Sequence, residues 1–348
     1  MRLNFVTCVL NVFNEGRMIR IGAVFLSVMM SLLLLAGCSG GVSSAGISTP
    51  AGSTTVNTVG STSCANTTEV VVENSSRSGS LTQWERWRGT IIVTGDVLIG
   101  QGCRLTIEPG TIVKFSANTD DSAHGSNTPI SDINFPNDPA KQPSAMSGIE
   151  VWQGELVAQG TPSSLITFTT TDTVTPLAGQ WHSIAYRSSA GKMTLDYSKI
   201  EYAYYGVQVS DTANSQTVSI SNNTIQDIVA CGICMGVDPL RTVTLSITGN
   251  TIAGCGHEGI DLHSNAHVTI EGNTFVDNRG KFVADPTSIG GSGIVIDKAN
   301  SSVIMNNTFL RNNTGINCVT NGSAPTISGN IFGIGVNANS DNNPSCPR

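Results

Sequence analysis

A short phrase centred on asparagine recurs through the second half of the chain and limits its fold more than any other feature. The phrases are SNNTI, TGNTI, EGNTF, MNNTF and SGNIF, and their shared asparagines are spaced by 27, 23, 34 and 23 residues. The phrase DYSKI puts Ser198 in the same slot, and the asparagines are Asn223, Asn250, Asn273, Asn307 and Asn330. A self-similar unit of about 20 to 50 residues indicates a repeat architecture.

A glycine followed by an aliphatic residue is the second shared position of this unit. The pairs are Gly206-Val207, Gly232-Ile233, Gly259-Ile260, Gly293-Ile294 and Gly315-Ile316. One unit therefore predicts short alternating strands separated by asparagine and glycine turns. When such units coil, each rung stacks about 4.8 Å above the last, and the inward aliphatic side chains form one core. We expect equivalent asparagines to lie in a row and to hydrogen-bond to one another.

Residues 85–335 resemble the right-handed parallel β-helix repeats of the pectate-lyase-like superfamily. The phrases above carry the resemblance, together with GDVLIGQGCRLTIEPGTIVKF and LDYSKIEYAYYGVQV nearer the start. It implies an all-β, single-stranded right-handed parallel β-helix of about nine or ten rungs over residues 84–348. Polar insertions at 117–147 and 278–292 interrupt the period. This fold carries lyases, hydrolases, epimerases and adhesins, so it leaves the activity open.

The N-terminus has the pattern of an export signal. Arg17 and Arg20 precede an uncharged run, 21–35, which is shorter than the roughly 20 residues of a bilayer span. The ending Leu-Ala-Gly-Cys38 resembles the lipobox of bacterial lipoproteins, which implies cleavage before Cys38 and its lipidation. The alternative is an ordinary signal peptide with a chance cysteine.

These features predict an address and a domain plan. We expect a signal peptide at 1–37 and a flexible Ser/Thr/Gly-rich tether at 38–83. Lipidated Cys38 would anchor the protein to a membrane of the cell envelope, and Ser39 resembles the signal that sorts lipoproteins to the outer membrane. A net charge of −7 without a cluster of Lys and Arg excludes a nucleic-acid partner.

Seven cysteines follow Cys38, and disulfides persist outside the cytoplasm. The expected bridges are Cys64–Cys103 and Cys318–Cys346. Cys231 and Cys255, near the same turn on adjacent rungs, are expected to form a disulfide or to be small buried residues. A zinc site would use both of them with Cys234 and His257, but on a strand Cys231 and Cys234 point to opposite faces unless a turn intervenes.

The stretch GHEGIDLHSNAH, 256–267, is the candidate active site. Strand alternation turns Ile260 and Leu262 inward and Asp261 and His263 outward. On the next rung Asp297 is then expected to stack on His263 at about 5 Å. Asp261 and Asp297 would lie roughly 8 Å apart on a diagonal, a separation that suits an inverting glycosidase. The alternative is that all three are solvated residues of an outer face.

Residues 259–264 also resemble the Asp-Pro-His-Asp signature of the mannuronan C5-epimerases. The resemblance implies that Asp261 and His263 act in removing the proton alpha to a uronate carboxylate. Leu262 replaces the proline, Ser264 replaces the last aspartate, and Glu258 stands where the family has a tyrosine. Glu258 is therefore a possible helper to the two predicted catalytic residues.

Two further features predict ligand binding. All five tyrosines fall within 20 residues, and Tyr202, Tyr204 and Tyr205 with Trp181 would form a sugar-stacking platform if exposed; core packing is the alternative. The aspartates of the insertion 117–147 are oxygen ligands of the kind that Ca²⁺ takes. The alternative for this insertion is a disordered hydrophilic loop. No cofactor and no metal site is therefore predicted, with Ca²⁺ at the insertion left open.

Three functions remain open from the sequence. The first is a cell-envelope lipoprotein whose β-helix binds a polysaccharide or a surface partner without catalysis. The alternative is a polysaccharide lyase, glycoside hydrolase or uronate epimerase that uses Asp261, His263 and Asp297, with Glu258 as a helper. The third is a structural or assembly lipoprotein. The oligomeric state is left open.

Overall fold

The computed structural model describes most of the repeat region. Fully described are residues 63–117, 146–187, 191–209, 218–235, 245–262, 267–280, 291–296, 301–319 and 325–333, with the backbone of the five strands Val9–Asn14, Arg17–Gly22, Thr242–Val243, Asn265–Ala266 and Asn337–Asn339. Cys38, His263, Asp297, Cys346 and most of the insertions 117–147 and 278–292 lie outside the described residues, and predictions about them stay predictions. The described part contains no helix that could span a membrane.

Twenty-six strands join through parallel backbone pairing into one coiled sheet. The first two, Asn66–Ser80 and Gln83–Ile99, each run through a whole rung. The coil has three faces, which are called the first, second and third sheets below. Each of the eight later rungs contributes one strand to each face.

The first sheet contains Arg104–Ile107, Glu155–Gln159, Lys192–Asp196, Val218–Ser221, Ser246–Thr248, Thr269–Glu271, Val303–Met305 and Thr326–Ser328. The second contains Ile112–Phe115, Ile166–Thr170, Ser198–Glu201, Thr224–Gln226, Thr251–Ala253, Thr274–Val276, Thr308–Leu310 and Ile331–Phe332. The third contains Ile149–Val151, Ile184–Tyr186, Val207–Val209, Ile233–Met235, Ile260–Leu262, Ser292–Ile296, Thr314–Cys318 and Asn337–Asn339.

Two short pairings lie outside the coiled sheet. Thr242–Val243 pairs in parallel with Asn265–Ala266. Val9–Asn14 pairs antiparallel with Arg17–Gly22 in a separate compact unit near the N-terminus. This hairpin covers the basic part of the predicted signal segment.

The coil begins earlier than predicted. The described residues make ten rungs, as expected, but the first rung is the strand Asn66–Ser80, which was assigned to the tether. Its composition misleads because an end rung pairs with one neighbour and buries few side chains, Val72 among them. Ion pairs of Glu69 with Arg86 and of Glu73 with Arg88 join it to the second rung. The predicted disulfide Cys64–Cys103 is confirmed and joins the same end of the coil.

The five asparagines form a continuous ladder, in which the first four are buried and Asn330, at the end, is half-buried. The Oδ1 of Asn273 accepts two hydrogen bonds from Asn250, one from its backbone N–H at 2.8 Å and one from the Nδ2 of the same Asn250 at 3.0 Å. Its own Nδ2 donates to the carbonyl of Ile247 at 2.9 Å. The same pattern repeats along the row and ends on the N–H of Ser198. The predicted alignment of the asparagines is therefore confirmed.

Left-handed backbone falls one position before each ladder residue. The φ angles there are 55° at Asn222, 66° at Gly249, 65° at Gly272, 56° at Asn306 and 63° at Gly329. Glycine and asparagine tolerate this conformation best, which explains why each phrase reads Asn-Asn or Gly-Asn. The ladder asparagine itself provides hydrogen bonds.

A second asparagine ladder, not predicted, lies at the corner between the second and third sheets. The Oδ1 of Asn278 accepts the N–H of Cys255 at 2.9 Å, and the Oδ1 of Asn312 accepts the N–H of Asn278 at 3.0 Å. Both asparagines are buried. The turn into the third sheet is thus held by hydrogen bonds between the rungs that carry Ile260 and Ile294.

Close packing at the same corner requires glycine in four of the Gly-aliphatic pairs, those of Gly206, Gly232, Gly259 and Gly293. A Cβ on Gly259 would lie 2.5 Å from the carbonyl oxygen of Gly293 and 2.7 Å from Cδ1 of Phe275. Phe275 stacks on Phe309 at 4.9 Å inside the coil. The core and the next rung together therefore leave no room for a side chain here.

We predict that Asn273→Ala lowers the free energy of unfolding by about 2–4 kcal/mol, because it leaves buried backbone groups without partners. Urea unfolding followed by circular dichroism measures the change. The matched control is Asn66→Ala, at an exposed asparagine of the first rung, for which we expect at most about 0.5 kcal/mol. Equal losses in the two variants would contradict a stabilising ladder.

We also predict that Gly259→Ala destabilises the protein by about 3 kcal/mol or more, since the added methyl collides with backbone and core. Gly272→Ala is the control, because its Cβ would meet nothing within 4 Å and only the positive φ opposes it. We expect the control to cost about 1 kcal/mol. Thermal unfolding of the two variants side by side tests the difference, and a larger loss at Gly272 would refute the packing explanation.

Candidate functional site

The outward side of the third sheet is buried, so the alternative of a solvated outer-face residue is wrong for Asp261. In register, one outward side chain per rung runs along it: Leu98, Glu150, Ala185, Gln208, Cys234, Asp261, Val295 and Asn317. All but the half-buried Cys234 are buried, and Asp261 is only 5% exposed. Alternation predicted correctly that Asp261 points away from the core but not that it is covered.

Three titratable side chains meet at the start of one strand of this sheet. His257 and Glu258 occupy the corner before Ile260–Leu262, and Asp261 is the outward residue of that strand. One ligating atom from each lies within 4.8 Å of the others, and Nδ1 of His257 contacts Oε2 of Glu258. The Glu258 side chain is 1% exposed and that of His257 18%. In this cluster the carboxylates of Glu258 and Asp261 are therefore buried, and the imidazole of His257 is partly exposed.

Backbone hydrogen bonds on both sides fix this corner. The N–H of His257 donates to the carbonyl of Ala230 at 3.1 Å, and the carbonyl of Glu258 accepts from Gly232 at 3.1 Å. On the other side, the N–H of Gly259 donates to the carbonyl of Ser292 at 3.0 Å. Since both neighbouring rungs hold the corner, the imidazole and the two carboxylates are positioned before any ligand binds.

Comparison with known proteins identifies the fold of this coil. Residues 205–344 match the family model described as the right handed beta helix region. The fold is a right-handed parallel β-helix. A solved alginate lyase from Paenibacillus sp. str. FPU-7 is similar at 15% identity, over 67% of this chain and 91% of the lyase, with a TM-score of 0.31. A likeness that low says nothing about the activity of this β-helix, and no curated protein matches it.

The structure brings together part of the predicted catalytic set. Glu258 and Asp261 are joined in one cluster, while His263 and Asp297 lie outside the described residues. The predicted register is confirmed as far as it is described, with Cys234 beside Asp261 and Ile260 beside Ile294. His257 is the group that the sequence interpretation missed as an acid–base residue. Its position directly before Glu258, in the corner that precedes a Gly-aliphatic pair, was the available signal.

The thiol arrangement rules out the zinc set weighed from the sequence. Cys231 is bridged to Cys234, because the corner before Ile233 lets residues three apart approach. Of the two alternatives predicted for Cys231 and Cys255, the disulfide between them is wrong, and both are small buried residues. Cys255 is a free buried thiol, and burial raises its pKa well above the usual range. Cys318 is also disulfide-bonded, and its predicted partner Cys346 lies outside the described residues. The remaining donors near the corner are His257, Glu258 and Asp261, a nitrogen and oxygen set of the kind that divalent cations take.

The predicted aromatic platform is not exposed. Trp181 stacks inside the β-helix on Phe115, with ring centres 4.0 Å apart, and its Nε1 donates to the carbonyl of Glu201. Tyr204 and Tyr205 are buried edge to face at 4.8 Å in a second apolar cluster outside the main core. Tyr202 is half-buried. The prediction of a sugar-stacking surface is therefore wrong for Trp181, Tyr204 and Tyr205.

A second histidine is buried beside the third sheet. Nδ1 of His182 lies 2.8 Å from the hydroxyl of Ser183, which donates to Gln208. Burial, with a smaller effect from the charge of Arg187, lowers the pKa of His182 to about 3. The native protein therefore holds a neutral imidazole at pH values where an unfolded chain, with a pKa of about 6.5, is protonated.

This difference predicts a loss of stability in acid. Between pH 6.5 and 3 the unfolded chain binds a proton at His182 that the native protein does not, so stability falls as the pH falls through this window. The unfolding free energy is expected to drop between pH 7.5 and pH 4.5 in both proteins. In His182→Gln we expect this drop to be smaller than in the unsubstituted protein by about 2–3 kcal/mol. Urea titrations of both proteins at the two pH values measure it, and parallel pH profiles would contradict a buried neutral His182.

Proposed function

We propose that this protein is an exported polysaccharide-active enzyme whose acid–base group is His257, on the outer side of the third sheet. The observation that carries the proposal is the half-buried imidazole whose Nδ1 contacts the buried carboxylate of Glu258, with Asp261 in the same cluster. A titratable cluster held in a protected position is typical of a catalytic site. A histidine oriented by a carboxylate is the usual arrangement of a protein base.

Each residue has a defined part in this chemistry. With Nδ1 on Glu258, proton exchange with a substrate falls to Nε2 of His257, and the carboxylate stabilises the imidazolium that forms. In an elimination or epimerisation His257 takes the proton alpha to a sugar carboxylate. In a hydrolysis it gives a proton to the glycosidic oxygen. Asp261 adds a second acceptor within 4.8 Å, a separation too small for the water of an inverting hydrolase.

The resemblance to the pectate-lyase-like superfamily supports a polysaccharide as the substrate. Since the outward side chains of the third sheet are buried, the substrate would contact the protein at the corner that carries the partly exposed His257. The burial of Trp181, Tyr204 and Tyr205 removes the support for non-catalytic stacking, so the enzyme is the favoured hypothesis. The proposal includes export and anchoring to the cell envelope through Cys38, on the lipobox alone.

An activity screen tests the proposal. The full chain is incubated with neutral and uronate polysaccharides, and new reducing ends and unsaturated uronate are measured. We expect His257→Ala to lower kcat by at least about 100-fold, since positioned acid–base groups contribute 10²–10⁴. Glu258→Gln should lower it less, because the imidazole remains but loses its carboxylate partner.

The matched control is His267→Ala, at an exposed histidine before the first-sheet strand Thr269–Glu271, and it should retain full activity. Unchanged activity in His257→Ala with native circular dichroism would remove this site. Glycan binding without product from any polysaccharide would instead support the non-catalytic hypothesis.

A further inference from the structure

The disulfide Cys231–Cys234 differs in kind from the disulfide at the N-terminal end of the β-helix. It joins residues three apart within one rung, whereas Cys64–Cys103 joins residues 39 apart on different rungs. The strand Ile233–Met235 pairs on both sides through its backbone, with Val207–Val209 and Ile260–Leu262. Backbone pairing alone therefore holds this rung, and the short bridge is not needed to keep the rungs together.

Access to sulfur predicts that the short bridge is the easier one to reduce in the folded protein. Thiol–disulfide exchange requires a thiolate to reach one of the two sulfur atoms of the bridge. Cys234 is half-buried, while Cys64, Cys103 and Cys231 are buried, so a reductant reaches the short bridge first at Cys234.

This bridge adjoins the cluster of His257, Glu258 and Asp261. Cys234 is the strand partner of Asp261 in the outward column. Gly232, between the two cysteines, donates its N–H to the carbonyl of Glu258 at 3.1 Å. The bridge thus shapes the corner on which the two carboxylates rest, and opening it lets the Cys234 side chain turn beside Asp261.

We propose that Cys231–Cys234 is a thiol–disulfide exchange site, open to dithiol reductants, whose redox state regulates the neighbouring cluster. A thiolate of the dithiol attacks Sγ of Cys234, the bridge breaks, and Cys231 leaves and takes up a proton. The second thiol of the dithiol then attacks the mixed disulfide and releases Cys234. Two electrons and two protons pass to the protein, and the dithiol becomes a disulfide. The regulatory half of this inference rests on the proposed function; the exchange half does not.

Graded reduction of the native full chain tests the exchange half. Dithiothreitol is the probe, released thiols are trapped with iodoacetamide, and labelled peptides are quantified by mass spectrometry. We expect Cys231 and Cys234 to be labelled at a dithiothreitol concentration at least about threefold lower than Cys64 and Cys103, because exchange depends on access to sulfur, with the circular dichroism spectrum still native. Cys255 serves as an internal control and should stay unlabelled, since it is buried. Reduction of Cys64–Cys103 at the same or a lower concentration, or labelling of Cys231 only after unfolding, would overturn the proposal.

The regulatory half has its own readouts. At the dithiothreitol concentration that opens only the short bridge, we expect kcat on the polysaccharide substrate to change at least threefold. The double variant Cys231→Ser/Cys234→Ser should match the reduced protein and no longer respond to dithiothreitol. Equal kcat in the oxidised, reduced and variant proteins would refute regulation. Selective labelling with no activity in any state would leave the exchange site standing and count against the proposed enzyme.

Discussion

The fold depends on hydrogen bonds that run between equivalent residues of successive rungs. Each ladder asparagine uses its amide at both ends: Oδ1 accepts from a backbone N–H of the preceding rung, and Nδ2 donates to a carbonyl in the first-sheet strand of that rung. Because the side-chain period of a strand is two, a slip of one residue would turn the inward aliphatic side chains outward and break the whole row. The ladder therefore sets the register of the β-helix, and through it the position of every side chain on the third sheet.

The rungs were predictable because a coil repeats one backbone environment, and the residues that suit it repeat in the sequence. Five asparagines at one phase are enough to find a ladder, and the 34-residue spacing locates an insertion between Asn273 and Asn307. Among the described residues the second ladder contains only Asn278 and Asn312, with Cys255 in the slot before them. Two asparagines are too few to reveal a period in the sequence. The first rung was not predicted from the sequence, because an end rung needs little apolar surface and its residues therefore resemble a polar tether.

The candidate site was half predictable, and the missing half has a physical cause. Alternation along a strand separates the bore of a β-helix from its outside, and it assigned Asp261 correctly to the outside. It carries no information on whether the outside is covered. Corners have no alternation at all, which is why His257 was not recognised as the partner of Glu258. The predicted exposure of Tyr204 and Tyr205 was wrong for the same reason. Both lie at the corner before the third sheet and pack into the second apolar cluster, outside the main core.

A buried cluster of ionisable groups lowers stability, and the architecture explains how this protein tolerates one. Burying Glu258 beside Asp261 costs desolvation and like-charge repulsion, which the contact of Glu258 with His257 offsets in part. In a solenoid, however, stability is a sum of small contributions from each rung and each interface between rungs. A rung held by both neighbours can therefore retain an unfavourable cluster while the rest of the coil keeps it folded. That division leaves the rung of Ile260 available for chemistry, with His257 at its exposed edge and the short disulfide of the preceding rung beneath it.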